Sequence, residues 1–90
     1  MTQILINTEQ VTNTGNQFNA KAGELEALIN NARSLMNSLE ACWQGVRKTN
    51  TFNEWNSMQP NLKNAVETLQ VTSRILKQAA ADFEATDRNR

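Results

Sequence analysis

The stretch EACWQGVRK, residues 40–48, lies at the midpoint of this 90-residue chain and decides how it folds. Long helix-favouring segments stand on both sides of it. Gly45 is the natural residue for the left-handed backbone conformation that ends a helix. We therefore predict that a short turn over residues 43–45 folds two helices of similar length side by side.

Before the turn, apolar side chains recur every seven positions, in columns three or four positions apart. This pattern predicts one amphipathic helix over about residues 8–42, with Asn7 capping its first turn. Gly15 lowers helix stability by about 1 kcal/mol relative to alanine, so we expect fraying near it. The apolar stripe is broad; its members are Val11, Phe18, Ala22, Leu25, Leu28, Ile29, Ala32, Leu35, Met36, Leu39, Cys42 and Trp43.

After the turn the same pattern predicts a second helix over about residues 47–84, followed by a frayed tail at 85–90. Pro60 removes one backbone hydrogen bond within it. A helix that began only at Pro60 would leave a loop of about 14 residues, which is longer than compact domains normally contain. We therefore predict a continuous helix with a kink near residues 56–60. Its apolar members are Phe52, Trp55, Met58, Leu62, Ala65, Val66, Leu69, Leu76, Ala79, Ala80 and Phe83.

Two such helices form an antiparallel hairpin, but stripes this wide leave apolar surface uncovered. A chain of 90 residues is also short for a stable core of its own. A second hairpin would cover the surface and complete a four-helix bundle. The predicted fold is therefore all-α, a single hairpin domain over residues 1–90 that pairs into a four-helix bundle dimer. The residues predicted for the core and the dimer interface are Phe18, Leu25, Ile29, Leu35, Leu39, Phe52, Trp55, Leu62, Leu69 and Leu76.

Charge and hydropathy exclude several kinds of partner. Nine basic and nine acidic residues give a net charge of zero, so long-range attraction to nucleic acid is missing. No apolar run approaches the roughly 20 residues that span a bilayer, and we expect no stable membrane insertion. The opening residues MTQILIN do not have the features of a cleavable secretory signal. Composition alone therefore predicts a cytosolic protein.

The sequence offers little catalytic or metal-binding chemistry. Histidine and tyrosine are absent, and Cys42 is the single cysteine. A thiol without an imidazole lacks the usual activating base, and one thiolate with scattered carboxylates falls short of a zinc ligand set. We therefore expect no enzymatic activity, no cofactor and no metal. Cys42 lies on the apolar stripe, which favours a small buried side chain; the alternative is a disulfide between subunits.

The chain resembles the WXG family of small ESAT-like helical hairpins, which type VII secretion systems of bacteria export. The matching motif is WQG, formed by Trp43, Gln44 and Gly45. It stands at the midpoint of a chain near 100 residues, between two amphipathic helices, with Phe52 and Trp55 early in the second. The resemblance implies a hairpin that pairs with itself or a related WXG protein and engages the type VII machinery. It also replaces the cytosolic prediction with export that uses no cleavable signal peptide.

In that family the export signal includes a tyrosine, followed four residues later by Asp or Glu, just after the second helix. The nearest match here is FEATD, with Phe83 in the tyrosine position and Asp87 as the acid. Phenylalanine keeps the ring and loses the hydroxyl group. The alternative is that Phe83 is a packing residue and Asp87 a solvated charge, in which case a partner chain could carry the signal.

These observations predict a non-enzymatic type VII substrate that acts as an effector, an adaptor or an escort through dimerisation. One alternative is a structural hairpin subunit of a helical filament or needle. Another is a cytosolic helical adaptor. The turn favours the first hypothesis over the needle, because needle hairpins tend to bend at proline-containing loops whereas this chain bends at WQG.

Overall fold

A computed structural model describes residues 7–88, with side chains described through residue 86. Over this range the chain forms two helices, α1 (Thr8–Glu40) and α2 (Val46–Arg88), joined by residues 41–45. Gly15 lies beside Ser73 and Arg33 beside Gln59, so the two helices run antiparallel. The result is a slender hairpin of 68 × 20 × 16 Å. Neither described helix combines the length and apolarity that crossing a membrane requires.

The first turn of α1 is capped by Asn7. The backbone N–H of Gln10 donates to Asn7 Oδ1 at 3.0 Å, and the N–H of Val11 donates to the Asn7 carbonyl at 3.0 Å. Glu9 places a negative charge in the same turn, where the helix dipole favours one. These contacts satisfy backbone donors that a helix start otherwise leaves without partners.

The C-terminal ends of both helices differ from the sequence prediction. The first helix ends at Glu40 and not at residue 42, because the N–H of Cys42 donates to the Leu39 carbonyl, three residues back, at 3.1 Å. Such a tightened final turn closes the helix. The second helix continues to Arg88, so residues 85–88 are helical where a frayed tail was predicted. Residues 89 and 90 lie outside the described range.

Gly45 stands directly before α2 and caps the start of that helix instead of ending α1, which corrects the role that the sequence predicted for it. Within residues 7–88 it has the one positive φ, at 122°. Its carbonyl accepts hydrogen bonds from the Thr49 N–H at 3.2 Å and the Thr49 hydroxyl at 3.4 Å. The end of α1 needs no left-handed residue, because Ala41 caps it with right-handed backbone angles, φ −69° and ψ −23°.

Lys48 connects the start of α2 to the end of α1. Its Nζ donates to the Glu40 carbonyl at 3.4 Å and lies 5.6 Å from the centre of the Phe52 ring. The last turn of α1, which is fully described, contains no basic residue. Lys48 therefore supplies from the second helix the positive charge that the C-terminal end of the first helix favours.

The core is one narrow layer between the two helices. Ala22, Ile29 and Val66 form its buried cluster, with Leu25, Leu62 and Leu69 packed against it. Ser73 and Ala80 continue the buried row of α2 away from the turn. Pro60 is exposed and α2 runs through it without interruption; the kink at residues 56–60 stays a prediction.

Gly15 lies where α1 packs closely against α2. A Cβ placed there would stand 3.1 Å from the Ser73 carbonyl oxygen, 3.1 Å from Lys77 Cγ and 3.4 Å from Leu76 Cβ. A backbone oxygen of a packed helix cannot move aside as a flexible side chain can. The fraying expected near Gly15 is therefore not observed, since this glycine is buried in a continuous helix against α2. The loss of helix propensity is offset by the contact that glycine permits.

Alanine substitutions at the three glycines test these assignments, with Gly23→Ala as the control. Gly23 is exposed in α1, and apart from its chain neighbours and the adjacent backbone of its own helix no described atom lies within 4 Å of a Cβ built there, so this change should stabilise the protein by about 0.5–1 kcal/mol. Gly15→Ala should be clearly less stable than Gly23→Ala, because its methyl group meets the Ser73 carbonyl. Chemical denaturation at fixed protein concentration measures the difference. Equal gains at both sites would contradict the close approach.

Gly45→Ala should destabilise the protein by about 1–3 kcal/mol through backbone strain alone. Crowding does not contribute, because no described atom lies within 4 Å of the added Cβ. The same denaturation experiment measures this loss. A Gly45→Ala variant as stable as the original protein would show that the turn adopts another backbone conformation.

Candidate pairing surface

A second row of apolar side chains on α1 lies beside its buried row. A helix advances about 100° per residue, so residues three, four or seven apart share a face. Gly15, Ala22 and Ile29 point toward α2. A second row lies about a quarter turn around the helix from this buried row. It contains Leu28, Leu35 and Leu39, which are 65%, 69% and 41% exposed.

A matching row runs along α2, beside its own buried residues Val66, Ser73 and Ala80. Met58 is 47% exposed, and small side chains extend the row away from the turn. Each exposed row lies about a quarter turn around its helix from the buried row of the same helix. Because the helices are antiparallel, both exposed rows come to lie on the same broad side of the hairpin. We call this side the apolar face; its members are Leu28, Leu35 and Leu39 of α1 and Met58, Ala65, Thr72 and Ala79 of α2.

The opposite broad side is polar. Glu26, Asn30 and Arg33 of α1 face Lys63 and other polar residues of α2 across a shallow groove with Ile29 and Val66 at its floor. Arg33 Nε donates to Gln59 Oε1 at 2.9 Å and so links the helices on this side. Arg33 also donates to Asn30 Oδ1 at 3.3 Å. From Leu28 toward the turn, the hairpin therefore has one broad side suited to water and one suited to an apolar partner. On the other side of Leu28, the row of α1 carries an exposed salt bridge between Lys21 and Glu24 at 3.0 Å.

The predicted core and interface residues divide into three groups by exposure. Ile29 is buried, whereas Leu35 and Leu39 are exposed on the apolar face. Leu25, Leu62 and Leu69 pack against the buried cluster. Those three leucines are half-buried, and so are Phe18, Phe52, Trp55 and Leu76.

Two large residues of the apolar face, Leu28 and Met58, were not among the predicted interface residues. Leu28 is more exposed than Leu39, and Met58 is the exposed member of the α2 row nearest the turn. The sequence already carried a signal for Leu28, because it stands seven residues before Leu35. Val71 and Ile75, which the apolar pattern did not include, are 41% and 60% exposed on the outer side of α2, away from α1.

The turn places its residues differently from the sequence prediction. Trp43 is half-buried, and Gln44 is exposed beside the positive-φ Gly45. Cys42 is exposed and not buried. The reason is that α1 ends at Glu40, which takes Cys42 off the helical stripe; its Sγ lies 3.6 Å from the Leu39 carbonyl and 3.7 Å from that of Ser38. The disulfide between subunits stays a prediction.

The candidate export segment, residues 83–87, lies within α2 and not after it. Phe83 is half-buried. The side chain of Asp87 lies outside the described residues, so its role stays a prediction. Elsewhere in residues 7–88, no group of three or more His, Cys, Asp or Glu side chains is arranged to hold a metal ion.

Known structures share the hairpin across nearly its whole length. The secreted protein EsxB of Bacillus anthracis strain Sterne, in its selenomethionine-labelled crystal structure, is 29% identical with a TM-score of 0.82; the match covers 97% of this chain and 99% of that one. A mutant of that protein matches at 28% identity and a TM-score of 0.81, over 97% of each chain. The wild type in another crystal form matches at 27% identity and 0.79, over 93% of this chain and 97% of that one.

Comparison by sequence assigns the family. None of the curated proteins matches the chain. The family model WXG100, described as proteins of 100 residues with WXG, matches residues 3–88. That match spans both helices and the turn with Trp43 and Gly45. The chain belongs to the WXG100 family.

Proposed function

We propose that this protein is a non-enzymatic small substrate of a type VII secretion system. It acts as an effector, adaptor or escort by pairing with a second helical hairpin. The observation that carries the proposal is the apolar face, where Leu28, Leu35 and Leu39 stand exposed in one row. Family membership and the likeness to a secreted Bacillus protein support export.

Exposure of the apolar face to water is energetically unfavourable, and this favours binding of a partner. Burying a leucine side chain contributes about 1.5–3 kcal/mol, and contiguous apolar surface of this kind marks sites of association. Two helices can bury only one stripe each between them. A second hairpin laid on the apolar face would cover the other stripe of both helices at once and complete a four-helix bundle.

The contrast between the two broad sides gives the pair its orientation. The side with Arg33, Lys63 and Glu26 keeps its charges in water, and the Arg33–Gln59 hydrogen bond already satisfies part of it. Covering that side would take these charged side chains out of water, which is costly unless each gains a well-placed partner. The partner therefore lies on the leucine side, and it is a second copy of this chain or a related WXG protein.

The shape of the hairpin suits passage through a secretion channel. Its long and narrow form, 68 × 20 × 16 Å, presents a small cross-section. Each helix forms from local contacts, and the antiparallel pairing begins at the turn, so folding should be fast on either side of a membrane. Phe83, half-buried near the end of α2, is the residue we propose for contact with the export machinery.

The pairing proposal predicts opposite results for two glutamates placed on different sides of α1. Leu35→Glu puts a charge in the middle of the apolar face and should weaken pairing by at least about 100-fold. Ala27→Glu adds the same charge at an exposed position on the far side of α1 and should leave pairing unchanged. Light scattering after gel filtration measures the mass of each variant, alone and mixed with a related WXG protein. Equal pairing of both variants would refute the apolar face as the interface.

Substitutions at Phe83 test whether this residue is part of an export signal or only packs against other side chains. Phe83→Leu keeps an apolar side chain and removes the ring, so export should fall while thermal stability stays close to the original. Phe83→Tyr restores the hydroxyl group of the family pattern and should export at least as well. The measurement is the secreted fraction in the native host, with Asp87→Asn tested in parallel. Normal export of Phe83→Leu and Asp87→Asn would show that this segment only packs.

A further inference from the structure

The sulfur-containing side chains of the described residues lie in the half of the hairpin near the turn. They are Met36, Cys42 and Met58. Met36 is half-buried in a cleft with Phe52 and Trp55. Cys42 is exposed in the connection between the helices. Met58 alone combines exposure, at 47%, with a position on the apolar face.

We propose that Met58 is a site of oxidative modification, at which a peroxide controls whether the hairpin can pair. The inference rests on the proposed pairing. In the single chain Met58 is 47% exposed, which gives a small oxidant access to its side chain, and in the pair the second hairpin covers it. Oxidation and pairing therefore compete for the same side chain.

The reaction is a two-electron oxygen transfer. A sulfur lone pair of Met58 attacks one oxygen of hydrogen peroxide, an S–O bond forms, and the O–O bond breaks. The second oxygen leaves as water after proton transfer, so the sulfur is oxidised to a sulfoxide and the peroxide is reduced. Methionine sulfoxide reductases reverse this modification, which makes it suitable for control.

The sulfoxide opposes pairing because of its surroundings. Methionine sulfoxide is polar and accepts hydrogen bonds, whereas the thioether packs as an apolar group. On the same face, Leu35, Leu39 and Ala65 offer no side-chain donor. Covering the S–O group with a second hairpin would take it out of water among apolar side chains, at a cost that weakens pairing by about tenfold or more.

The two other sulfur atoms serve as internal comparisons. Oxidation at Cys42 would place its oxygen in the turn, outside the apolar face. Met36 is less exposed than Met58 and should react more slowly in the single chain. A Cys42→Ser background removes the thiol as a competing target, and serine can keep the contacts with the Leu39 and Ser38 carbonyls.

The test uses the pair that the mass measurements identify, in the Cys42→Ser background. Protein is treated with hydrogen peroxide when dilute and single, and again when concentrated and paired. Peptide mass spectrometry then locates the added oxygen, and sedimentation gives the dissociation constant of the pair. We expect Met58 to oxidise before Met36, to do so more slowly in the paired sample, and to pair about tenfold or more weakly once oxidised.

Met58→Leu provides the matched control, because leucine has similar volume and cannot form a sulfoxide. This variant should pair as the original does and keep its pairing after peroxide treatment. Loss of pairing in treated Met58→Leu protein, or unchanged pairing of protein oxidised at Met58, would overturn the inference while leaving the proposed function intact. Untreated protein that pairs neither with itself nor with a related WXG protein would refute the proposed function and this inference together.

Discussion

The structure depends on one constraint, which is that two antiparallel helices can bury only one stripe of side chains between them. Ala22, Ile29 and Val66 fill that stripe, and the wider apolar pattern on each helix remains in contact with water. In a larger domain a third layer would cover the remainder. Here the uncovered row of each helix lies next to its buried row. Because the helices are antiparallel, the two uncovered rows are on the same side of the hairpin. The apolar face is thus a consequence of the fold as much as a feature of the sequence.

The residues that lie between the two helices differ in size along the length of the hairpin. Near the open end the buried residues are small, namely Gly15, Ser73 and Ala80, and a Cβ placed at Gly15 would stand only 3.1 Å from the Ser73 carbonyl oxygen. Near the turn the contacts involve Met36, Phe52 and Trp55. Lys48 then joins the end of one helix to the start of the next. Small residues thus permit a close approach of the helices near the open end, and the turn joins them at the other end.

The helices and their antiparallel arrangement could be predicted from the sequence, because a heptad pattern depends only on side-chain spacing. The details of the turn could not. Gly45 has the positive φ that glycine favours, but which helix it serves depends on where the hydrogen-bond ladder of α1 closes. Because α1 ends before Ala41, Cys42 is exposed in the connection and does not lie on the apolar stripe. Periodicity similarly grouped Ile29 and Leu35 in one stripe, although only the first faces α2. A quarter turn separates core from surface, and only the packed structure resolves it.

The central claim is that a second hairpin covers the apolar face, and sedimentation equilibrium of the unmodified protein tests it most directly. The sample is measured over a wide micromolar range of concentration, alone and mixed with a related WXG protein. In at least one of these samples the account predicts a rise from the mass of one chain to that of two, with helix content unchanged. A fully helical protein that keeps the mass of one chain throughout, in both samples, would contradict the account.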